Sequence, residues 1–89
     1  MTDAAHKRAE PLSVQVQGGR GEPDRLFVLA RAHDGSFDVR EFRFAENDSG
    51  EPREYTATAS DLLAVFERAH KERRRLSEDM YLIRNWLNG

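Results

Sequence analysis

The sequence predicts an α+β fold, in which a four-stranded antiparallel sheet is followed by a long or bent C-terminal helix in the order ββββα. Three observations carry that expectation. Leu26–Phe44 holds two apolar-rich runs around His33-Asp34-Gly35-Ser36, and an Asp-Gly pair between strand-like runs is a strong hairpin signal because a type I′ turn needs residues that tolerate positive φ. Leu12-Ser13-Val14-Gln15-Val16-Gln17 alternates cleanly between apolar and polar, the period of a half-buried strand. From Ser60 onward the apolar spacing changes to three and four residues, the rhythm of a helix packing along one seam.

Taken in order, Met1–Pro11 is polar, mixed in charge and without period, and is expected to be a disordered arm. The remainder, residues 12–89, is expected to form one domain. In the first strand Leu12, Val14 and Val16 point inward. Gly18–Asp24 is a loop by its glycine and proline content. In the hairpin, a two-residue Asp34-Gly35 loop pairs Ala32 with Phe37 and Arg31 with Asp38, an opposite-charge neighbour worth roughly 0.2–1 kcal/mol.

The strand after the turn does not alternate simply. Phe37 and Val39 share one phase, Phe42 and Phe44 the other. A β-bulge at Arg40-Glu41 would return all four to one face. The buried face is then Leu26, Val28, Ala30 and Ala32 with those four residues. The outer face carries Phe27, Leu29, Arg31, Asp38 and Arg43, with Arg40 or Glu41 at the bend. That face is either open or covered by the C-terminal helix or another subunit. Ala45–Pro52 is a second loop, and Arg53–Thr58 a shorter fourth strand.

Ser60 or Thr58 suits a helix N-cap and Asp61 the first turn. Leu62, Phe66, Ala69, Arg73, Leu76, Met80, Ile83 and Leu87 form the seam of the helical segment 60–87. No glycine or proline interrupts it, so a continuous or bent helix of about 40 Å is expected. The rival is two helices with a break near Ser77, because Ser77-Glu78-Asp79 also reads as a start. In the long-helix arrangement Met80, Ile83, Trp86 and Leu87 overhang the sheet and need a partner, and a second copy of the chain is the economical one.

Composition narrows the function. The chain has 89 residues, a net charge of −2 and no cysteine, which leaves no disulfide framework, thiolate chemistry or zinc ribbon. No run approaches the ~20 apolar residues of a membrane span, and the first residues lack a secretory signal, so a cytoplasmic protein is expected. His6, His33 and His70 are too far apart in sequence to make a metal-ligand set. Ser36, Ser49, Ser60 and Ser77 occupy turn and cap positions without an elbow-like context. Gly18-Gly19-Arg20-Gly21 lacks the lysine and the strand-to-helix setting of a phosphate loop. No enzyme, cofactor or metal is expected.

Binding is the remaining class. Arg68, Lys71 and Arg75 fall on one stripe of the expected helix, open either to phosphate or to pairing with Glu67 and Glu72. On the outer sheet face Phe27, Arg31, Arg40, Arg43 and Arg53 combine a stacking platform with basic groups, which is how single strands are gripped. The stretch Phe37–Phe66 resembles the transcriptional coactivator family of positive cofactor four. Asp38-Val39-Arg40-Glu41-Phe42 matches its Asp-Ile-Arg-Glu-aromatic motif, Glu46–Pro52 its acidic loop and Ser60–Arg68 its helix start. Pur-type and Whirly-type modules share the element order. The resemblance implies a ββββα fold, a dimer through the helices, and a sheet face that binds single-stranded DNA without strong sequence preference. The family carries more basic residues on the loop and last strand than this chain, which has only Arg53 there, and Arg74–Leu87 extends beyond the family helix.

The expected function is therefore a small, homodimeric nucleic-acid-binding protein for single-stranded DNA or RNA, acting in transcription regulation. The alternative is a protein–protein interaction or regulatory module that acts through the C-terminal helix.

Overall fold

The computed structural model describes residues 11–19, 21–45 and 50–89. Strands β1 (Leu12–Val16), β2 (Arg25–Arg31), β3 (Phe37–Arg43) and β4 (Arg53–Ala57) form one antiparallel sheet in chain order. Helices α1 (Ala59–Lys71) and α2 (Met80–Asn88) follow. The four-stranded sheet and its C-terminal helical segment are as expected, with the segment divided in two. Of the expected disordered arm, residues 1–10 lie outside the described residues, as do Arg20 and residues 46–49 of the second loop.

The central hairpin closes differently from the two-residue expectation. Ala32 N–H donates to the Ser36 carbonyl at 3.0 Å, and Gly35 N–H reaches the Ala32 carbonyl at 3.4 Å. Three residues, His33-Asp34-Gly35, therefore form the loop, with Gly35 at φ +88° in the left-handed region that glycine enters without strain. The Asp34 carboxylate accepts from Ser36 N–H at 3.0 Å and from Ser36 Oγ at 2.6 Å. These bonds hold the Asp34 carboxyl below the usual carboxylate range, the hydroxyl contributing more than the amide.

That one added loop residue moves the register by one. Arg31 pairs with Phe37, Leu29 with Val39, Phe27 with Glu41 and Arg25 with Arg43, without interruption. A shift of one residue exchanges the two faces of a strand. Phe27 and Leu29, expected outside, are buried, while Leu26, Val28 and Ala30 lie on the outer face, only partly covered. No bulge occurs at Arg40-Glu41. Instead the carboxylate of Glu41 occupies the inward phase after Phe37 and Val39 and is 6% exposed.

The inward face carries Val14, Val16, Phe27, Leu29, Phe37 and Val39, and both helices cover it. α1 supplies Leu62, Phe66 and Ala69, and α2 supplies Ile83 and Leu87. Phe66 meets the edge of Phe27 with ring centroids 5.2 Å apart, an arrangement that aligns ring edge with ring face. Leu62, Phe66, Ala69, Ile83 and Leu87 of the expected seam thus pack as expected, but within one chain, whereas Arg73 is exposed at the end of α1.

α1 starts at a reciprocal cap. Thr58 Oγ1 accepts from Asp61 N–H at 3.1 Å, and the Asp61 carboxylate accepts from Thr58 N–H at 3.2 Å. It ends where Arg73 takes φ +63°, with Arg74 N–H on the Ala69 carbonyl and Arg73 N–H on the His70 carbonyl, both at 3.0 Å. These bonds satisfy carbonyls that a helix end otherwise leaves without partners. A non-glycine residue in this region costs about 1–2 kcal/mol. α2 restarts with Asp79 as N-cap, accepting from Leu82 N–H at 2.8 Å. The long continuous helix is therefore replaced by two helices, and the break begins earlier than Ser77.

The connection between them also closes an edge of the sheet. Gln17 N–H donates to the Arg75 carbonyl at 2.8 Å, Ser77 N–H to the Gln15 carbonyl at 2.9 Å, and Gln15 N–H to Ser77 Oγ at 2.8 Å. Leu76 sits opposite Val16 as an antiparallel bridge. The edge-facing backbone groups of Gln15 and the N–H of Gln17, which would otherwise template another strand, are thus occupied. Among the described residues no helix is long and apolar enough to cross a membrane.

If α2 belongs to the protomer's own core, Ile83→Ala should lower unfolding stability by roughly 2–5 kcal/mol. Chemical denaturation checks this. An unchanged midpoint and slope would place Ile83 outside the core.

Candidate functional site

The five residues expected to form one binding face are found in four places. Phe27 lies beneath α1 with 1% exposure and offers no stacking platform. Arg31 lies at the margin of the helix-covered face. Its guanidinium stands 4.7 Å from the Trp86 ring centroid and 5.6 Å from that of Phe37, and it donates to the Trp86 carbonyl. A cation at the C-terminal carbonyls of a helix is favourable, so Arg31 clamps α2 to the hairpin. Arg40 projects from the opposite face, facing Glu54 across the strands with 3.9 Å between Nε and Oε1. Only Arg43 and Arg53 remain together. The cause is the register, which reverses the phases on β2 and leaves Arg40 alone among the five on the outer side.

The residues expected at a dimer or partner interface also change role. Ile83 and Leu87 are buried against the sheet, Met80 packs on the same core, and Trp86 lies 5.5 Å from Phe37 between ring centroids. They are covered by their own chain because the break at Arg73 turns α2 back over the sheet. On α2, Tyr81 and Leu82 are exposed instead, at 74% and 41%.

Arg43 and Arg53 belong to a constellation at the open end of the helix-covered face. Arg25 pairs with Arg43, and Glu41 pairs with Arg53, in adjacent ladders. Together with Glu22 and Pro23 these four side chains line a depression of about 380 Å³. Glu41 is the buried member. Its Oε2 lies 3.5 Å from Arg25 Nη1, and its Oε1 accepts from the Tyr55 hydroxyl at 3.1 Å. A buried carboxylate persists only when paired and hydrogen-bonded. Arg25 is held in turn over the Phe27 ring at 5.2 Å, and Arg53 over the Tyr55 ring at 5.9 Å. Burial, then the charge of Glu41 and its hydrogen bond, push the Tyr55 hydroxyl up to about 12.

Three guanidinium groups and two carboxylates line this depression; Glu41 is withdrawn from solvent and Glu22 is paired with Arg74, which leaves local positive charge on a chain with a net charge of −2. An adjoining depression of about 880 Å³ shares Glu22 and Arg25 and continues along α1 past Arg68 and Lys71. Arg74 in its wall is fixed between Glu22 and Glu72, with Nε 3.0 Å from Glu72 Oε1. The hydrogen bond from Arg74, and then its charge, hold the Glu22 carboxyl below its usual range. Arg75 does not join Arg68 and Lys71 on a helical stripe, since α1 ends before it. Among the described residues no group of three or more His, Asp or Glu side chains could hold a metal ion.

Arg25, Glu41 and Tyr55 were not legible as a site from sequence. The one signal was Glu41 itself, a carboxylate interrupting the apolar phase of Phe37 and Val39. Comparison with protein-family models, curated proteins and solved structures returns no match.

The raised Tyr55 hydroxyl fixes a pH dependence. Its folded value of about 12 exceeds the ordinary value of 10.0, so its contribution to stability is complete below pH 10 and is lost as pH rises through 12. Tyr55→Phe should remove that alkaline step from a denaturation series and the late component from the ultraviolet phenolate titration. A wild-type titration complete near the ordinary value would contradict the Glu41 contact.

Proposed function

We propose that the protein is a small non-enzymatic nucleic-acid-binding protein that grips single-stranded DNA or RNA at the open end of its sheet, in keeping with a role in transcription regulation. The observation carrying this reading is the convergence of Arg25, Arg43 and Arg53 around buried Glu41, beside a Tyr55 ring that is 37% exposed. Guanidinium forks suit phosphate oxygens because their planar donors match them two at a time. A partly exposed ring offers a base a stacking surface worth about 1–3 kcal/mol. Glu41 orients Arg25 without presenting its own charge at the surface. The strand continues along α1 past Arg68 and Lys71.

This reading moves the contacts from the outer sheet face to the helix-side end. Arg43 and Arg53 are retained, Arg25 and Tyr55 added, and Phe27, Arg31 and Arg40 released. It does not depend on a high net charge. With about three phosphates neutralised, the logarithm of affinity should fall with that of salt with a slope of about −2.

Fluorescence polarisation with labelled single-stranded and double-stranded oligonucleotides tests it. The double variant Arg43→Ala/Arg53→Ala should weaken single-strand binding at least about tenfold, or some 1.4 kcal/mol, and Arg40→Ala should leave it unchanged. Loss of binding in Arg40→Ala with full binding in the double variant would return the site to the outer face. A protein–protein module on α2 is the second reading, favoured by the exposed Tyr81 and Leu82. An absence of oligonucleotide binding at low salt would direct the search there.

A further inference from the structure

The central strand β2 is apolar in both phases. Phe27 and Leu29 face the helices, and Leu26, Val28 and Ala30 occupy the other side. An antiparallel sheet with one solvated face ordinarily alternates apolar-in and polar-out, whereas a strand apolar on both phases belongs to a sheet covered on both sides. β1 follows the first pattern, with Ser13 and Gln15 exposed outside, and so does β4, with Glu54 and Thr56. β2 follows the second. Phe42 lies opposite Leu26 and widens the apolar stripe. Phe44, just beyond β3, is 58% exposed. The result is an apolar centre with polar flanks, the anatomy of a protein interface.

The charges on this face indicate its occupant. Arg40 lies opposite Val28 on one side and Glu54 on the other, and Asp38 lies opposite Ala30. Acids outnumber bases here, which disfavours a phosphate backbone. Leu26, Val28 and Ala30 offer neither ring nor hydrogen-bonding group to a base, and Phe42 beside them has Arg40 as the one cation near it on this face among the described residues. A face that carries both signs around an apolar stripe is complementary to itself, the property that a two-fold interface requires, because the same patch meets its own copy. We propose that the outer face of the sheet is a homodimer interface, in which Leu26, Val28, Ala30 and Phe42 of two chains stack sheet on sheet and Arg40 of each meets the other's acidic rim. Sheets packed in this way lie about 10 Å apart. The interface leaves the arginine-lined groove and α2 free, so it stands independently of the proposed nucleic-acid reading.

Sedimentation equilibrium and light scattering over a dilution series of the full chain test this directly, with circular dichroism to confirm folding. The wild type should dimerise and Val28→Glu should be monomeric. Arg40→Glu makes the face uniformly acidic at an exposed side chain, so it should raise the dimer dissociation constant at least about tenfold. The exchange Arg40→Glu/Glu54→Arg should restore dimerisation. If Val28→Glu does not fold, the Arg40 pair of variants decides the matter. A wild type that stays monomeric at its highest soluble concentration overturns the proposal and gives the face to a different partner. A dimer insensitive to Arg40→Glu overturns it as well.

Discussion

The length of one turn governs this molecule. With His33-Asp34-Gly35 as a three-residue loop, Ala32 pairs with Ser36, and every later pair of β2 and β3 follows. Strand side chains alternate with a period of two, so the turn decides which half of the hairpin meets the helices. Phe27, Leu29, Phe37 and Val39 receive Leu62, Phe66, Ile83 and Leu87 because of it. It also brings Arg25 to the face that carries Arg43 and Arg53, while the uninterrupted alternation of β3 keeps Arg40 on the other side. The Asp34–Ser36 bonds and the left-handed Gly35 hold the turn locally. Burial of Phe27 and Leu29 rather than Leu26 and Val28 favours the same register globally, since larger apolar groups leave water.

Much of the architecture was legible, because periodicity reports local geometry. The alternation of Leu12–Gln17, the Asp-Gly hairpin signal and the three-four spacing from Leu62 to Leu87 each correspond to an element. The seam residues Leu62, Phe66, Ala69, Ile83 and Leu87 are buried as their spacing implies. The helix break was less legible, because its left-handed residue is Arg73 rather than the glycine that usually marks such an end. Asp79 gave the restart of α2 a visible cap. The pattern could not say that α2 folds back on the sheet, since Ile83 and Leu87 would look alike in a dimer seam and in the protomer's own core.

The site was legible in its residue types and not in its assembly. The apolar phase switch between Val39 and Phe42 suggests a bulge, yet the strand pairs without interruption and buries Glu41 on its inward face. A carboxylate is tolerated there because Arg25 and Tyr55 reach it from neighbouring strands, partners that sequence spacing does not reveal. The two faces then divide their chemistry. The end of the helix-side face carries a cationic cluster held in place by a buried acid, and the outer face carries an apolar stripe between mixed charges.

The register is the claim on which all of this stands, and solution NMR can read it directly. In an antiparallel pair the residues without mutual hydrogen bonds have Cα atoms about 4.5 Å apart, which brings their Hα protons into strong dipolar contact. With Ala32 and Ser36 hydrogen-bonded, the close pairs are Phe27 with Glu41 and Leu29 with Val39. Strong Hα–Hα cross-peaks between those pairs are the predicted result. Strong Hα–Hα cross-peaks of Ala30 with Val39 and of Val28 with Glu41 would contradict the account, because those are the close pairs of the two-residue-loop register in which Phe27 faces outward and the arginine cluster does not form.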